Sequence, residues 1–208
     1  MLGQCRKPSG WLGRFILWSM NRGHSRLTDW GLEHVRIGPR DTILDVGCGG
    51  GRTVQKLAAL AAAGRVYGVD FSEASVAMAR GTNRESIAQG RVTIQQATVS
   101  QLPFGDAMFD LVTAVETHYY WPDLPADVRE VKRVMKRGGT FLLIAEAYRG
   151  FKKGKYDHVF EQWAARTGWK FAQLTPAEHQ DLLQQAGYAD VQVFEDAAKG
   201  WICVTGHA

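Results

Sequence analysis

The chain has 208 residues with 45% hydrophobic content, enough for one domain with a substantial core. Its formal net charge of +4 is too diffuse to indicate nucleic acid or an acidic ligand as a partner. Cys5, Cys48 and Cys203 are odd in number and widely separated, which excludes a disulfide framework or a cysteine metal cluster and fits a cytoplasmic protein.

Residues 1–10 carry Gly, Pro, Ser and basic residues without periodicity and read as a flexible tail. Residues 11–35 read as a helical lid of two short helices, with Phe15, Ile16, Trp18 and Met20 in one apolar cluster and Leu27, Trp30, Leu32 and Val35 in another. The stretch Trp11 to Met20 is interrupted by Gly13 and Arg14, too short to span a bilayer, and has no cleavage site for a signal peptide. It suits a cover packed on its own domain better than a membrane-surface helix. Between the clusters, Asn21 and His24 can hydrogen-bond or move a proton, although a turn with a surface histidine has the same composition. Gly38-Pro39 ends the region, and a single domain is expected over 36–208.

Ile43-Leu44-Asp45-Val46-Gly47-Cys48-Gly49-Gly50-Gly51-Arg52 is a buried strand running into a glycine turn. Thr53, Val54, Leu57, Leu60 and Ala61 then recur at helical spacing, so the turn opens a helix and its unpaired N–H groups. A dinucleotide fingerprint G-x-G-x-x-G would want glycine at position 52, where the chain has Arg52. Asp45, two residues before the first glycine, would repel a pyrophosphate but support a cationic ligand. The pattern D-x-G-x-G-x-G after an apolar strand resembles motif I of the class I S-adenosylmethionine-dependent methyltransferases. That resemblance makes Asp45, Gly47, Cys48 and Gly49 cofactor-binding residues.

Arg65 to Val69 is the second strand, and Asp70 stands at its carboxyl end, where ligands of open parallel sheets lie. It can accept from both ribose hydroxyls and resembles the family's ribose-binding acid. Phe71 would cover one face of the adenine, unless it is plain packing, and Ser72 is placed to cap the next helix. The third strand starts at Val92 and ends near Gln96. Where the family has an acid for the adenine amino group, this chain has Thr98, whose hydroxyl accepts without charge; Val99 can offer its backbone N–H.

Strand four, Leu111 to Val115, leads into Glu116-Thr117-His118-Tyr119-Tyr120-Trp121-Pro122. Residues after this strand lie beside the sulfonium and the acceptor in the family, which implies contact from Glu116 and an apolar wall from Tyr119, Tyr120 and Trp121, although aromatics before a proline also pack loops. Neither Asn-Pro-Pro-Tyr, Asp-Pro-Pro-Tyr nor a Pro-Cys pair is present here, so nucleobase acceptors lose weight. An amphipathic helix through Val128, Val131, Val134 and Met135 is expected to end at Gly138-Gly139, with strand five over Thr140 to Ala145 and Glu146 on the substrate rim or in solvent. The basic stretch from Arg149 to Lys155 reads as a solvated loop, and Phe160 to Trp169 as a helix. Thr175-Pro176-Ala177-Glu178 starts another helix, and Val191 to Phe194 with Trp201 to Thr205 forms a closing hairpin.

The resemblance covers about Asp41 to Gly206. It implies an α/β, Rossmann-like doubly wound sheet of seven strands in the order 3-2-1-4-5-7-6, strand 7 antiparallel. It also implies methyl transfer from S-adenosyl-L-methionine, leaving S-adenosyl-L-homocysteine. The expected acceptor is a small molecule, with Trp18, Asn21, Trp30, Tyr119, Tyr120 and Glu146 around it and His118 or His24 removing a proton where one must leave. No metal-ligand set has suitable spacing, and the protein is expected to be a monomer or homodimer without a membrane span. Methylation of RNA or protein is the alternative; a dinucleotide-dependent oxidoreductase is disfavoured by Asp45 and Arg52.

Overall fold

The computed structural model describes residues 25–146, 148–151, 158, 162 and 173–208. The expected tail, the lid up to residue 24 with Trp18, Asn21 and His24, and the body of the helix expected over 160–169 lie outside the described residues.

Strand β1, Thr42–Val46, is the axis of the sheet, hydrogen-bonded in parallel to β2 (Arg65–Asp70) on one side and β4 (Phe109–Val115) on the other. Beyond β2 lies β3 (Val92–Gln96); beyond β4 lies β5 (Met135–Glu146), then β7 (Trp201–His207) and the edge strand β6 (Ala189–Asp196). The order is β3-β2-β1-β4-β5-β7-β6, and β7 runs antiparallel to both neighbours, as expected. Successive residues of β1 face opposite sides, so Ile43 packs in one core cluster and Leu44 in the other. Each is fully buried, which stabilises the fold by roughly 1.5–3 kcal/mol per side chain.

One face is covered by α1 (Ser25–Leu32), α2 (Arg52–Leu60) and α3 (Glu73–Thr82), which bury Leu27, Leu57 and Val76 against Ile43, Val66 and Ile144. The short helix α4 (Arg84–Ala88) follows α3. The other face is covered by α5 (Leu124–Val134) and α6 (Pro176–Gln185), which bury Val128, Val131 and Leu183 near Phe141 and Val204. Helix starts follow their sequence signals: Ser72 accepts from the Ser75 N–H at 3.4 Å, and Thr175 and Glu178 form a reciprocal capping box.

Three boundaries differ from the sequence reading. Helix α5 ends at Val134, before the two glycines expected to stop it. Strand β5 begins at Met135, paired with Phe109, and its next partner pair is Leu111 with Thr140, so Gly138 and Gly139 sit in an irregular stretch of strand. Gly138 has φ 76°, and a Cβ on Gly139 would lie 2.9 Å from both the Lys136 and Phe109 carbonyl oxygens. Helix α1, assigned by sequence to the lid, is built into the core: Leu27 is buried, and Gly31 packs so closely on Ile144 that a Cβ would lie 2.3 Å from its Cδ1. Its Asp29 is salt-bridged to Lys56 of α2.

Candidate active site

Strand order reverses around β1, where β2 lies to one side and β4 to the other, and a crevice opens beyond their carboxyl ends. A cavity of about 300 Å³ fills it. Its floor is Asp45 to Gly50 from β1 and the turn; one side is Val69 to Phe71 with Ala97 to Val99, and the other is Val115 to Thr117 with Tyr120 to Pro122.

The turn is held tightly. The N–H groups of Gly47 and Cys48 both donate to the Val69 carbonyl, at 2.8 and 2.9 Å, and that of Gly49 donates to Asp70 Oδ2 at 2.9 Å. Gly47 has φ 73°, and a Cβ there would lie 2.1 Å from Thr117 Oγ1, so this position admits only glycine without rearrangement. Gly49 has φ 51°, and a Cβ there would meet nothing within 4 Å.

Three carboxylates border the cavity. Asp45 is 2% exposed and accepts from the Thr113 hydroxyl at 2.6 Å. Burial pushes its pKa up to about 7, against the Thr113 hydrogen bond and aided by the neighbouring Asp70 charge. Asp70 accepts from the Gly49 and Ser72 N–H groups, one on each oxygen; burial raises its pKa and these donors oppose the rise. Glu116 is held in the left-handed region, φ 55°, at a cost of order 1–3 kcal/mol for a side chain with a Cβ. Its Oε1 accepts from the Glu146 N–H at 2.5 Å and lies 3.1 Å from the Tyr119 hydroxyl.

All nine residues expected to bind cofactor, Asp45, Gly47, Cys48, Gly49, Asp70, Phe71, Thr98, Val99 and Glu116, border this one cavity. Of the expected acceptor residues that are described, Tyr120 borders it and Trp30, His118, Tyr119 and Glu146 do not. His118 is fully buried and does not border the cavity; its Nε2 faces His179 Nε2 at 3.2 Å. Expected beside the acceptor, it lies away from this cavity, because the chain enters a 3-10 turn, His118–Tyr120, that sends the imidazole into the protein and leaves Tyr120 at the cavity. Tyr119 is also buried, with its hydroxyl 2.7 Å from the Glu146 carbonyl oxygen, and neither residue borders the cavity. Trp30 packs on His34 and Trp201 instead.

Sequence reasoning did not single out Ser25, Thr28, Arg52, Thr53, Ser75 or Thr117 as cavity residues. Ser25 and Thr28 carried a usable signal, three residues apart on one face of α1, but only the packing of α1 against the sheet brings that face to the crevice. Among the described residues, no group of three His, Cys, Asp or Glu side chains is arranged to hold a metal ion. Nor, among them, is any helix long and apolar enough to cross a membrane.

Such a sheet, with a glycine turn and acids at the carboxyl ends of its first strands, defines a Rossmann-like protein built for a nucleoside-bearing cofactor. A family model described as a methyltransferase domain matches residues 44–143. The chain is 36% identical over 178 residues to the uncharacterized methyltransferase sll0829 of Synechocystis sp., an alignment covering 82% of this chain and 77% of that protein. It is also 36% identical over 126 residues to the demethylmenaquinone methyltransferase of Symbiobacterium thermophilum, covering 60% and 50% of the two chains. Against the first curated relatives it matches, the chain aligns with about half of their length: 56%, 46% and 45%. The fold superposes with a TM-score of 0.79 on a chain from the complex between the Haloferax volcanii Trm112 methyltransferase activator and a methyltransferase, at 20% identity, covering 95% and 96% of the two chains. The chain belongs to the class I S-adenosylmethionine-dependent methyltransferase family.

Proposed function

We propose that this protein transfers the methyl group of S-adenosylmethionine to a small-molecule acceptor. The observation that carries this reading is the convergence of Asp45, Asp70 and Glu116 with the Gly47–Gly49 turn on one cavity. The residues fit the cofactor. Gly49 leaves its side of the turn open, so a ligand can approach the main chain closely. Asp70, with one oxygen fixed by Gly49 and the other by Ser72, presents a rigid carboxylate to a pair of ribose hydroxyls. Phe71, 39% exposed, offers a face that a planar base would cover, beside Thr98 and Val99. Asp45 is a buried acid suited to a cationic group.

When bound, S-adenosylmethionine supplies a methyl group on a positively charged sulfur. The chain's task is to align an acceptor with that methyl and to keep water out. Val115, Thr117, Tyr120, Trp121 and Pro122 form the wall beside Glu116 that does so from the described side. His118 is too buried to take a proton from an acceptor, whereas Glu116 borders the cavity with one carboxylate oxygen anchored, and takes the proton where one must leave.

Residues 11–35 complete the acceptor side in this reading, with Trp18, Asn21 and His24 near the acceptor. Support comes from Ser25 and Thr28, which border the cavity from the described end of that segment. Small acceptors agree with the relative that bears a demethylmenaquinone name. Calorimetry with S-adenosylhomocysteine and with NAD tests the cofactor, and tighter binding of NAD would sink the reading. Radiolabelled cofactor offered to small phenolic, quinone and amine acceptors, with RNA and protein as comparison, tests the acceptor class. Label entering only RNA or protein would replace it.

A further inference from the structure

We propose that Thr82 and Asn83, at the end of α3, are positioning residues that hold the cofactor turn from behind; this rests on the cofactor reading above. The Thr82 hydroxyl donates to the Gly50 carbonyl at 2.8 Å, and the Asn83 amide donates to the Gly51 carbonyl at 2.9 Å. Two consecutive carbonyls of the turn are thereby tied to two consecutive side chains 32 residues away. Neither Thr82 nor Asn83 borders the cavity, whereas Gly47 to Gly50, Arg52 and Thr53 do.

The turn is thus gripped on two sides. From β2 and its end, Val69 and Asp70 accept the N–H groups of Gly47, Cys48 and Gly49; from α3, Thr82 and Asn83 take the carbonyls of Gly50 and Gly51. The Gly51 carbonyl also accepts the Gln55 N–H at 3.1 Å, and because a trans peptide directs its N–H opposite to its C=O, these two donors together turn the Arg52 N–H the other way. Gly51, the residue that caps α2, has no side chain to cap it with, so the donors of the first helical turn are oriented by the backbone that Thr82 and Asn83 hold. The contact between turn and helix is close: a Cβ on Gly51 would lie 2.6 Å from Asn83 Nδ2 and 2.8 Å from Ala79 Cα.

The arrangement carries a cost. Asn83 is 3% exposed; its amide also donates to the Ala79 carbonyl at 2.9 Å, while its buried Oδ1 has no hydrogen-bond partner among the described residues. A buried unmet acceptor is destabilising, and an apolar side chain would avoid it while forfeiting the hold on Gly51. Thr82 divides its one proton between the Gly50 and Met78 carbonyls, with the shorter contact to the turn.

The test is calorimetric titration of S-adenosylhomocysteine, well below the unfolding temperature, into wild type, Thr82→Val, Thr82→Ser and Asn83→Ala, with thermal midpoints recorded for each. Thr82→Val and Asn83→Ala should each weaken binding roughly fivefold or more, the equivalent of one hydrogen bond, and Thr82→Ser should bind as wild type does. Should Asn83→Ala not fold, the Thr82 pair decides alone, because valine keeps the shape of threonine. Lower midpoints with unchanged dissociation constants would make the two residues merely structural and overturn the proposal while leaving the cofactor reading intact. A wild type that binds no S-adenosylhomocysteine would overturn the cofactor reading itself, and the proposal with it.

Discussion

His118 and His179, 61 residues apart in sequence, meet in the interior with their Nε2 atoms 3.2 Å apart. His179 Nδ1 lies 2.9 Å from the Thr175 carbonyl oxygen, so it carries a proton there and its Nε2 accepts from His118. His118 Nδ1 is buried with no hydrogen-bond partner among the described residues. The pair joins the turn after β4 to the start of α6, and it is neutral: burial drives the His118 pKa well below its ordinary 6.5, aided by His179, and burial lowers that of His179.

A stability signature follows. Below pH 6.5 the unfolded chain protonates both imidazoles while the folded chain does not, so their contribution to stability is present above 6.5 and is lost as pH falls below it. Each proton changes the slope by at most about 1.4 kcal/mol per pH unit. Thermal midpoints from pH 5 to 7 for wild type and His118→Gln should show a weaker acid-side loss in the variant. Parallel curves would mean that His118 does not titrate differently in the two states.

Asp45 contributes with the opposite sign. With a folded pKa of about 7 against an ordinary 3.8, it binds more proton in the folded state across that interval, so its contribution falls as pH rises through it. The α-ammonium of S-adenosylhomocysteine, placed beside it, favours the carboxylate and expels the proton. Near pH 6.5, S-adenosylhomocysteine binding should therefore release protons, read as a dependence of calorimetric heat on buffer ionisation enthalpy. Asp45→Asn should abolish most of that dependence, and an equal dependence in both proteins would remove Asp45 from the ligand's charge.

Asp70→Ala deprives the proposed ribose site of a charged acceptor and should weaken S-adenosylhomocysteine binding by at least one charged hydrogen bond, about 1.5–3 kcal/mol. It also frees the Gly49 and Ser72 N–H groups, so a lower thermal midpoint is expected in the same variant. An unchanged dissociation constant would place the ribose elsewhere.

Gly47→Ala and Gly49→Ala should part company. The added methyl at Gly47 meets Thr117 Oγ1 at 2.1 Å on top of the strain at φ 73° and should lower the thermal midpoint sharply, whereas at Gly49 it meets no protein atom within 4 Å, adds only the strain at φ 51°, and should cost less stability while lowering cofactor affinity. Midpoints and dissociation constants of the two variants, measured together, check the contrast; equal losses of stability would contradict it.

Thr98→Asp should keep or tighten cofactor binding, by about 1 kcal/mol, because a carboxylate accepts more strongly than a hydroxyl. The side chain is exposed at the cavity edge, and its oxygen already accepts from the Ser100 N–H at 3.4 Å, a bond that aspartate can reproduce. Calorimetry on the folded variant decides it, and weaker binding would mean that Thr98 does not meet the adenine amino group.

What the sequence by itself determined lies along β1, β2 and their turns. The apolar run Ile43-Leu44 with Val46, the glycines at 47, 49 and 51, and the acids at 45 and 70 each act within a few residues of backbone, so spacing identified the strand and the turn, and the family resemblance carried by the same residues implied the cavity floor. The capping box at Thr175 and the cap at Ser72 were legible for the same reason. What only the tertiary structure decided is every direction set by packing between distant segments. His118 and Tyr119 read as acceptor residues until a 3-10 turn placed the first against His179 and the second against Glu146. Thr82 and Asn83 have no local signal at all, because the carbonyls they hold come from residues 32 positions earlier, brought beside α3 only when the helices close over one face of the sheet.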